Sequence, residues 1–262
     1  LKSLNEMPRS DASRIHTLVT DIDDTITTDG ALTASAYQAL DDAKQAGKRV
    51  IVTTGRPAGW CDHIARMWPV DAVIGENGAF YCWYDRPSRR LKTCHSMDAR
   101  ARLDNRRRIE AVAESVLAQV PGASVASDQF CRLYDLAIDY CEDVDALPPE
   151  AVSRIEHIMT SAGMTAKVSS IHVNGWFGEH DKLSMSRRLV QELYGLDLDT
   201  HRDQFIYAGD SPNDAPMFGY FPNSVGVSNV RAFLDRMTTP PQYVTEGRSG
   251  DGFRELVRHW LG

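Results

Sequence analysis

The chain has 262 residues, 42% of them hydrophobic and 25% charged, which suffices for one large domain or two modest ones around a substantial core and excludes a disordered or fibrous protein. Its 29 basic and 36 acidic side chains leave a net charge of -7, which argues against a general nucleic-acid binder but not against a small anionic substrate, since a site needs only a few local cations. No apolar run approaches the roughly 18–20 residues of a membrane span, and the mixed, polar stretch 1–10 does not read as a secretory leader; a cytoplasmic setting is expected.

The first third alternates strand and helix. Thr17–Thr20 is a β-prone run ending at Asp21. Thr33 is placed to cap a helix with Ala36, Leu40 and Ala43 on one face and Gly47 as its stop. Arg49–Thr53 is the second strand. Pro57 suits the first position of a helix carrying Trp60, Ile64 and Met67 on one side, and Ala72–Ile74 is the third strand. Such alternation predicts parallel βαβ units with right-handed crossovers.

After Gly78 the pattern changes. Ala79–Tyr84 and Leu91–Thr93 read as a hairpin around the turn at 85–88. A long helix follows (Ile109, Val112, Val116, Val120), ended by Pro121-Gly122, and then strands over 124–127 and 133–140. Pro148-Pro149 opens another helix (Val152, Ile155, Met159), and two short strands are expected over 165–173. Helix–strand–strand given twice predicts a separate α+β module at 85–175. From Lys182 the first pattern resumes, with a helix (Leu183, Val190, Leu193), strands at Phe205–Ala208, Val225–Val227 and Tyr243–Thr245, and a closing helix (Phe253, Leu256, Val257, Trp260). The fold expected is α/β: a parallel-sheet core made of 1–84 and 176–262, interrupted by an α+β insert. The five cysteines include no Cys-x-x-Cys pair and are expected to be reduced thiols.

Open parallel sheets bind ligands beyond the carboxyl ends of their strands. Those positions hold Asp21-Ile22-Asp23-Asp24-Thr25, Thr54-Gly55-Arg56, Glu76-Asn77-Gly78 and Gly209-Asp210-Ser211-Pro212-Asn213-Asp214, with Lys182 heading a helix nearby. Carboxylates gathered at one edge repel unless a cation sits among them, and hard oxygen donors without His or Cys point to Mg²⁺. A magnesium ion beside a lysine and a threonine hydroxyl makes a pocket for a phosphoryl group.

In this order, Asp21-x-Asp23-x-Thr25, Thr54-Gly55-Arg56, Lys182 and Gly209-Asp210-x-x-Asn213-Asp214 resemble the four motifs of the haloacid dehalogenase superfamily. Glu76-Asn77-Gly78 and the position of the insert resemble its Cof-type branch of sugar phosphatases, sucrose-phosphatase-like, with a Rossmann-like core and an α+β cap. The resemblance implies that Asp21 is a nucleophile forming an aspartyl-phosphate and that Asp23 is the general acid and base. It implies that Thr54 and Lys182 hold phosphoryl oxygens, and that Mg²⁺ is bound by Asp21, the Asp23 backbone carbonyl, Asp210 and, directly or through its neighbours, Asp214. Thr25, Gly55, Arg56, Asn77 and Asn213 are expected around the substrate. Asp24 departs from the glycine that many relatives carry.

Cap residues facing the core are expected to select the substrate, with His172, Asn174 and Trp176 as candidates, although His172 also fits an alternating strand and Trp176 and Phe177 also fit a domain junction. The basic stretch from Arg86 to Arg108 reads as a solvated face or as a patch that steers an anion. Three other chemistries fit parts of the sequence: a serine hydrolase built on Ser211, Asp235 or Asp251, and His259; a phosphosugar-binding regulator; and a phosphomutase using the same aspartates. The expected partner is a small phosphorylated metabolite, with neither nucleic acid nor membrane.

Overall fold

The computed structural model describes residues 1–169 and 171–262; Ser170, inside the strand pair expected at 165–173, lies outside them. The chain starts with β1 (Lys2–Ser3) and α1 (Arg9–Arg14), then alternates β2 (Thr17–Asp21), α2 (Ala34–Gln45), β3 (Arg49–Thr53), α3 (Ala58–Met67) and β4 (Ala72–Gly75). Thr33 does cap α2, its hydroxyl accepting from the Ala36 N–H at 3.3 Å, a contact typically worth about 1 kcal/mol. Pro57 stands one residue earlier than expected, as the N-cap of α3. On that helix Cys61, Ile64 and Ala65 are buried while Trp60 and Met67 are exposed. Trp60 instead lies under the Arg56 guanidinium, 4.5 Å from ring centroid to Cζ, so its face is spent on a cation rather than on the core.

A hairpin follows, β5 (Phe80–Asp85) and β6 (Arg90–His95), then α4 (Ala99–Gln119), β7 (Ser124–Val125), β8 (Asp135–Asp139), α5 (Pro149–Ser161), β9 (Thr165–Val168) and β10 (His172–Trp176). The last third runs through α6 (Lys182–Tyr194), α7 (Leu198–His201), β11 (Phe205–Gly209), α8 (Ala215–Tyr220), β12 (Asn223–Gly226), a 3₁₀ stretch at Ser228–Arg236, β13 (Tyr243–Val244) and α9 (Ser249–Leu261).

The strands form a nine-stranded sheet, β1-β13-β12-β11-β2-β3-β4-β5-β6, and a four-stranded sheet, β7-β8-β10-β9. Pairing is parallel from β1 to β4 and antiparallel at the β5–β6 edge. Strand β6, placed beyond a boundary at 85 by the sequence pattern, is thus hydrogen-bonded into the large sheet, because the hairpin's tight turn keeps it beside β5. The first and last thirds of the chain share this sheet through the β2–β11 pair, in register from Thr17↔Phe205 to Thr20↔Ala208.

Apolar layers cover both faces of the large sheet, one led by Leu18, Val50, Ile206, Phe253 and Trp260, the other by Val19, Tyr207, Leu189 and Phe221. The insert has its own core of Ile109, Val116, Leu136, Ile138, Ile155, Met159 and Val173, which also takes in Phe177. In the four-stranded antiparallel sheet, Leu136, Ile138 and Val173 point to helices α4 and α5. The alternate residues Asp135, Asp139, His172, Asn174 and Trp176 point away from them. Most of the Arg86–Arg108 stretch is exposed, as a solvated face requires, and Arg108 lies over the Phe177 ring at 3.5 Å. All five cysteines are free. Among the described residues no helix is long and apolar enough to cross a membrane.

Candidate active site

The carboxyl ends of β2, β3, β4 and β11 lie side by side, and the loops leaving them form the floor of a cavity of about 1250 Å³ whose roof is the polar face of the insert. Strand β2 stops at Asp21, and the chain turns sharply at once: Ile26 and Thr27 both donate to the Ile22 carbonyl, and Asp24 adopts a φ of 56°. This is the departure from the strand that lets Asp21 and Asp23 both face the cavity. Strand β11 ends at Gly209, where an added Cβ would lie 2.5 Å from an Asp214 carboxylate oxygen. Only glycine leaves room for that carboxylate to fold back onto the loop.

Asp21, Asp210 and Asp214 are buried, and each offers an oxygen within 4.8 Å of the others. Lys182, at the first position of α6, donates to Asp21 Oδ1 at 2.6 Å and to Asp214 Oδ1 at 3.1 Å. The hydroxyl of Tyr207 also donates to Asp214 Oδ1, at 2.6 Å, and the Asp210 backbone N–H donates to Asp214 Oδ2 at 3.0 Å. Asp214 therefore fixes Lys182 and the loop, and it lies behind Asp210 rather than on the cavity wall. One ammonium faces three carboxylates. Burial, with the Asp214 and Asp23 charges, pushes Asp21 from 3.8 up to about 7 against the pull of Lys182. Burial and the Asp214 and Asp21 charges hold Asp210 well above the usual carboxylate range. Such a set of hard oxygens with surplus negative charge fits a bound Mg²⁺.

Asp23 stands apart from this cluster. Its carboxylate is held by Arg56, with Nε and Nη2 both 3.0 Å from Oδ1. Arg56 reaches Glu142 of the insert with its remaining nitrogen, at 3.4 Å, and Glu142 Oε2 is 2.9 Å from His172 Nε2. Arg56, expected at the substrate, is thus committed to Asp23 and to the insert. Thr54 is fully buried and its hydroxyl accepts from the Arg56 N–H at 2.9 Å, which shapes the loop before α3. Thr25 is also fully buried, its hydroxyl unpartnered, and it does not line the cavity. Gly55, Asn77 and Asn213 do line it, Asn213 with its Oδ1 accepting from Ser211. His172 and Asn174 line the roof, and Asn174 donates to Asp135 at 3.1 Å. Trp176 is buried against His180 at the junction, 5.6 Å between ring centroids.

The sequence pattern did not single out Asn229, and it marked Glu76 without its role. Asn229, just past β12, donates to Asp210 Oδ2 at 3.3 Å and to the Asp24 carbonyl at 3.1 Å. It occupies one more strand end, so the rule that picked out the other loops applied to it. Glu76 is wholly buried, and its carboxylate accepts the backbone N–H groups of Ala58, Leu133, Tyr134 and Asp135 at 2.6–3.1 Å. Burial and the nearby Asp135 push it up to about 8. Beside it Arg132, also buried, donates to the Gly55 carbonyl at 2.9 Å and to Asp135 at 3.1 Å. Together these residues rivet the insert to the Thr54–Arg56 loop.

The serine hydrolase arrangement is not assembled. Ser211 donates to Asn213, and His259 bonds to the Met7 carbonyl at the far end of α9.

The strands and helices make a Rossmann-like α/β core that carries an α+β insert, with the acidic cluster at the strand ends. Residues 18–101 match the model of the haloacid dehalogenase-like hydrolase family. No curated protein matches the sequence. Among solved structures, a protein of Thermoplasma acidophilum superposes with a TM-score of 0.71 at 18% identity, over 95% of this chain and 99% of that one. A haloacid dehalogenase-like hydrolase from B. subtilis gives 0.66 at 15%, over 94% and 99%. The sucrose-phosphatase of Synechocystis, solved with sucrose and phosphate, gives 0.63 at 15%, over 93% and 97%.

Proposed function

We propose that the protein is a Mg²⁺-dependent phosphatase of a small phosphorylated metabolite, a sugar phosphate or close relative. The observation that carries the reading is the separation of two aspartates two residues apart. Asp21 sits in a buried carboxylate cluster against Lys182, whereas Asp23 sits outside it against Arg56. Two carboxyls in different settings can take different roles.

Asp21 attacks phosphorus as the P–O bond to the substrate breaks, leaving the phosphoryl group on its carboxylate. Asp23 gives a proton to the departing alkoxide and then takes one from the water that cleaves the aspartyl-phosphate, a role worth roughly 10²–10⁴ in rate. Arg56 fixes the direction of that carboxyl. Lys182 and the amides of the Thr54–Gly55 loop face the phosphoryl oxygens. Mg²⁺ would be held by Asp21, Asp210 and the Asp23 carbonyl, with Asp214 behind them; when bound it supplies the positive charge that lets the carboxylates and the phosphoryl group approach. The domain division fits the same reading, with the sheet-bearing thirds as catalytic core and the module between β6 and α6 as the cap that excludes water.

Phosphate release across a panel of phosphorylated metabolites, with Mg²⁺ and with EDTA, tests this. The reading expects release that stops with chelator and resumes with added Mg²⁺. Isomerised substrate without free phosphate indicates a mutase, and ligand affinity without turnover indicates a binding protein; either result overturns it.

A further inference from the structure

The roof of the cavity holds a charge that the mechanism leaves unused. Strand β9 pairs with β10 so that Lys167 stands opposite Asn174, and directly opposed residues of an antiparallel pair project from the same face. That face is turned to the site, since Asn174 and His172 line the cavity while Val173 packs in the insert's core. Lys167 lines the large cavity, and also a smaller recess of about 90 Å³ that it shares with Asn77, Lys182 and Asn213.

The neighbouring cations are occupied. Lys182 serves Asp21 and Asp214, Arg56 serves Asp23 and Glu142, and Arg132 serves Asp128 and Asp135. Lys167 is half-buried, and among the described residues its ammonium makes no hydrogen bond or ion pair. The carboxylates that act on it through space, Asp181 and Asp214, are themselves engaged, Asp181 as the cap of α6 and Asp214 with Lys182. The floor acids, Asp21 and Asp210, belong to the metal cluster, and Glu156 is an acid lining the roof. An ammonium drawn partly out of water is compensated poorly by a neutral hydroxyl and well by an anion. Exposed Arg231 and Arg236 at the cavity wall add a field of the same sign.

Resting on the phosphatase reading, we infer that Lys167 recognises a second anionic group of the substrate, a carboxylate or further phosphate carried near the scissile ester. The substrate class narrows from neutral sugar phosphates to phosphorylated acids, such as a sugar-acid or hydroxy-acid phosphate. Lys167 is then the residue through which the insert separates these from neutral esters.

Two matched pairs test this: 2-phosphoglycerate against glycerol 2-phosphate, and 6-phosphogluconate against glucose 6-phosphate. The native protein should have the higher kcat/KM for the acid of at least one pair. Lys167→Met should lower that value about tenfold more than the value for its neutral partner, chiefly through KM, as loss of a charge-assisted contact does, and Lys167→Arg should restore part of it. Equal or better turnover of the neutral partners by the native protein overturns the inference, as does an equal loss on both members of a pair in Lys167→Met. Absence of phosphate release from any ester, p-nitrophenyl phosphate included, overturns the phosphatase reading itself.

Discussion

Lys182 places its Nζ 2.6 Å from Oδ1 of Asp21, a residue 161 positions earlier in the chain, and both side chains are buried. The contact closes the site across the β2–β11 seam where the two ends of the core meet. Removing one partner of a buried pair leaves the other charge uncompensated, at a cost of about 3–5 kcal/mol. Lys182→Met is therefore expected to lower the metal-free unfolding midpoint in urea by the equivalent of about 3 kcal/mol and to abolish phosphate release. Unchanged stability would show that the pair is not formed in solution.

Metal removal and pH should act together. The folded Asp21 carboxyl is raised from 3.8 to about 7, so between those values the folded state holds a proton that the unfolded state does not. Stability of the metal-free protein from this group is then greatest at low pH and falls as pH rises from about 4 to about 7. Protons and Mg²⁺ compete for the same oxygens, so the rise in Tm caused by Mg²⁺ should be larger at pH 8 than at pH 5.5. Thermal scans at both pH values with and without EDTA check this; an equal rise at both would contradict it.

Asp23 should reveal itself through the leaving group. An alkoxide needs a proton to depart and p-nitrophenolate does not. Asp23→Asn is expected to lower kcat for alkyl phosphates by about 10²–10⁴ and to have a smaller effect on the first half-reaction with p-nitrophenyl phosphate, read as a burst. Arg56→Met, which leaves the Asp23 carboxyl undirected, should shift the same ratio in the same direction.

Glu76 ties α3 and the start of β8 to the end of β4. Glu76→Ala strands four backbone N–H groups, two of them buried, each worth about 1 kcal/mol, and should cost about 3–5 kcal/mol in chemical denaturation. Glu76→Gln keeps one acceptor oxygen and should cost less. If Ala and Gln variants lose equally little, the joint is not a source of stability.

Much of this site was legible because strand ends can be read from β-prone runs, and each such run delivered its next residues to one edge. Asp21, Asp23, Lys182, Asp210 and Asp214 came together this way, although Lys182 and Asp21 are far apart in sequence. Contacts between the core and the insert were not legible. Nothing local marks Arg132 as buried beneath Gly55, or Glu76 as the acceptor of four amides from two other segments. For the same reason the commitment of Arg56 to Asp23 and Glu142 carried no signal, since it depends on how the insert lies. Trp60 looked like a core residue because helical periodicity does not distinguish a face against the core from one under an arginine. Lys167 carried no signal until the β9–β10 register set it opposite Asn174.

The central claim is that Asp21 is the nucleophile. Its most direct test is phosphate release by Asp21→Asn beside the native protein at saturating Mg²⁺, with circular dichroism showing that both are folded. The variant should be at least about a thousandfold slower, as loss of a covalent nucleophile requires; turnover within tenfold of native would contradict the assignment and the mechanism built on it.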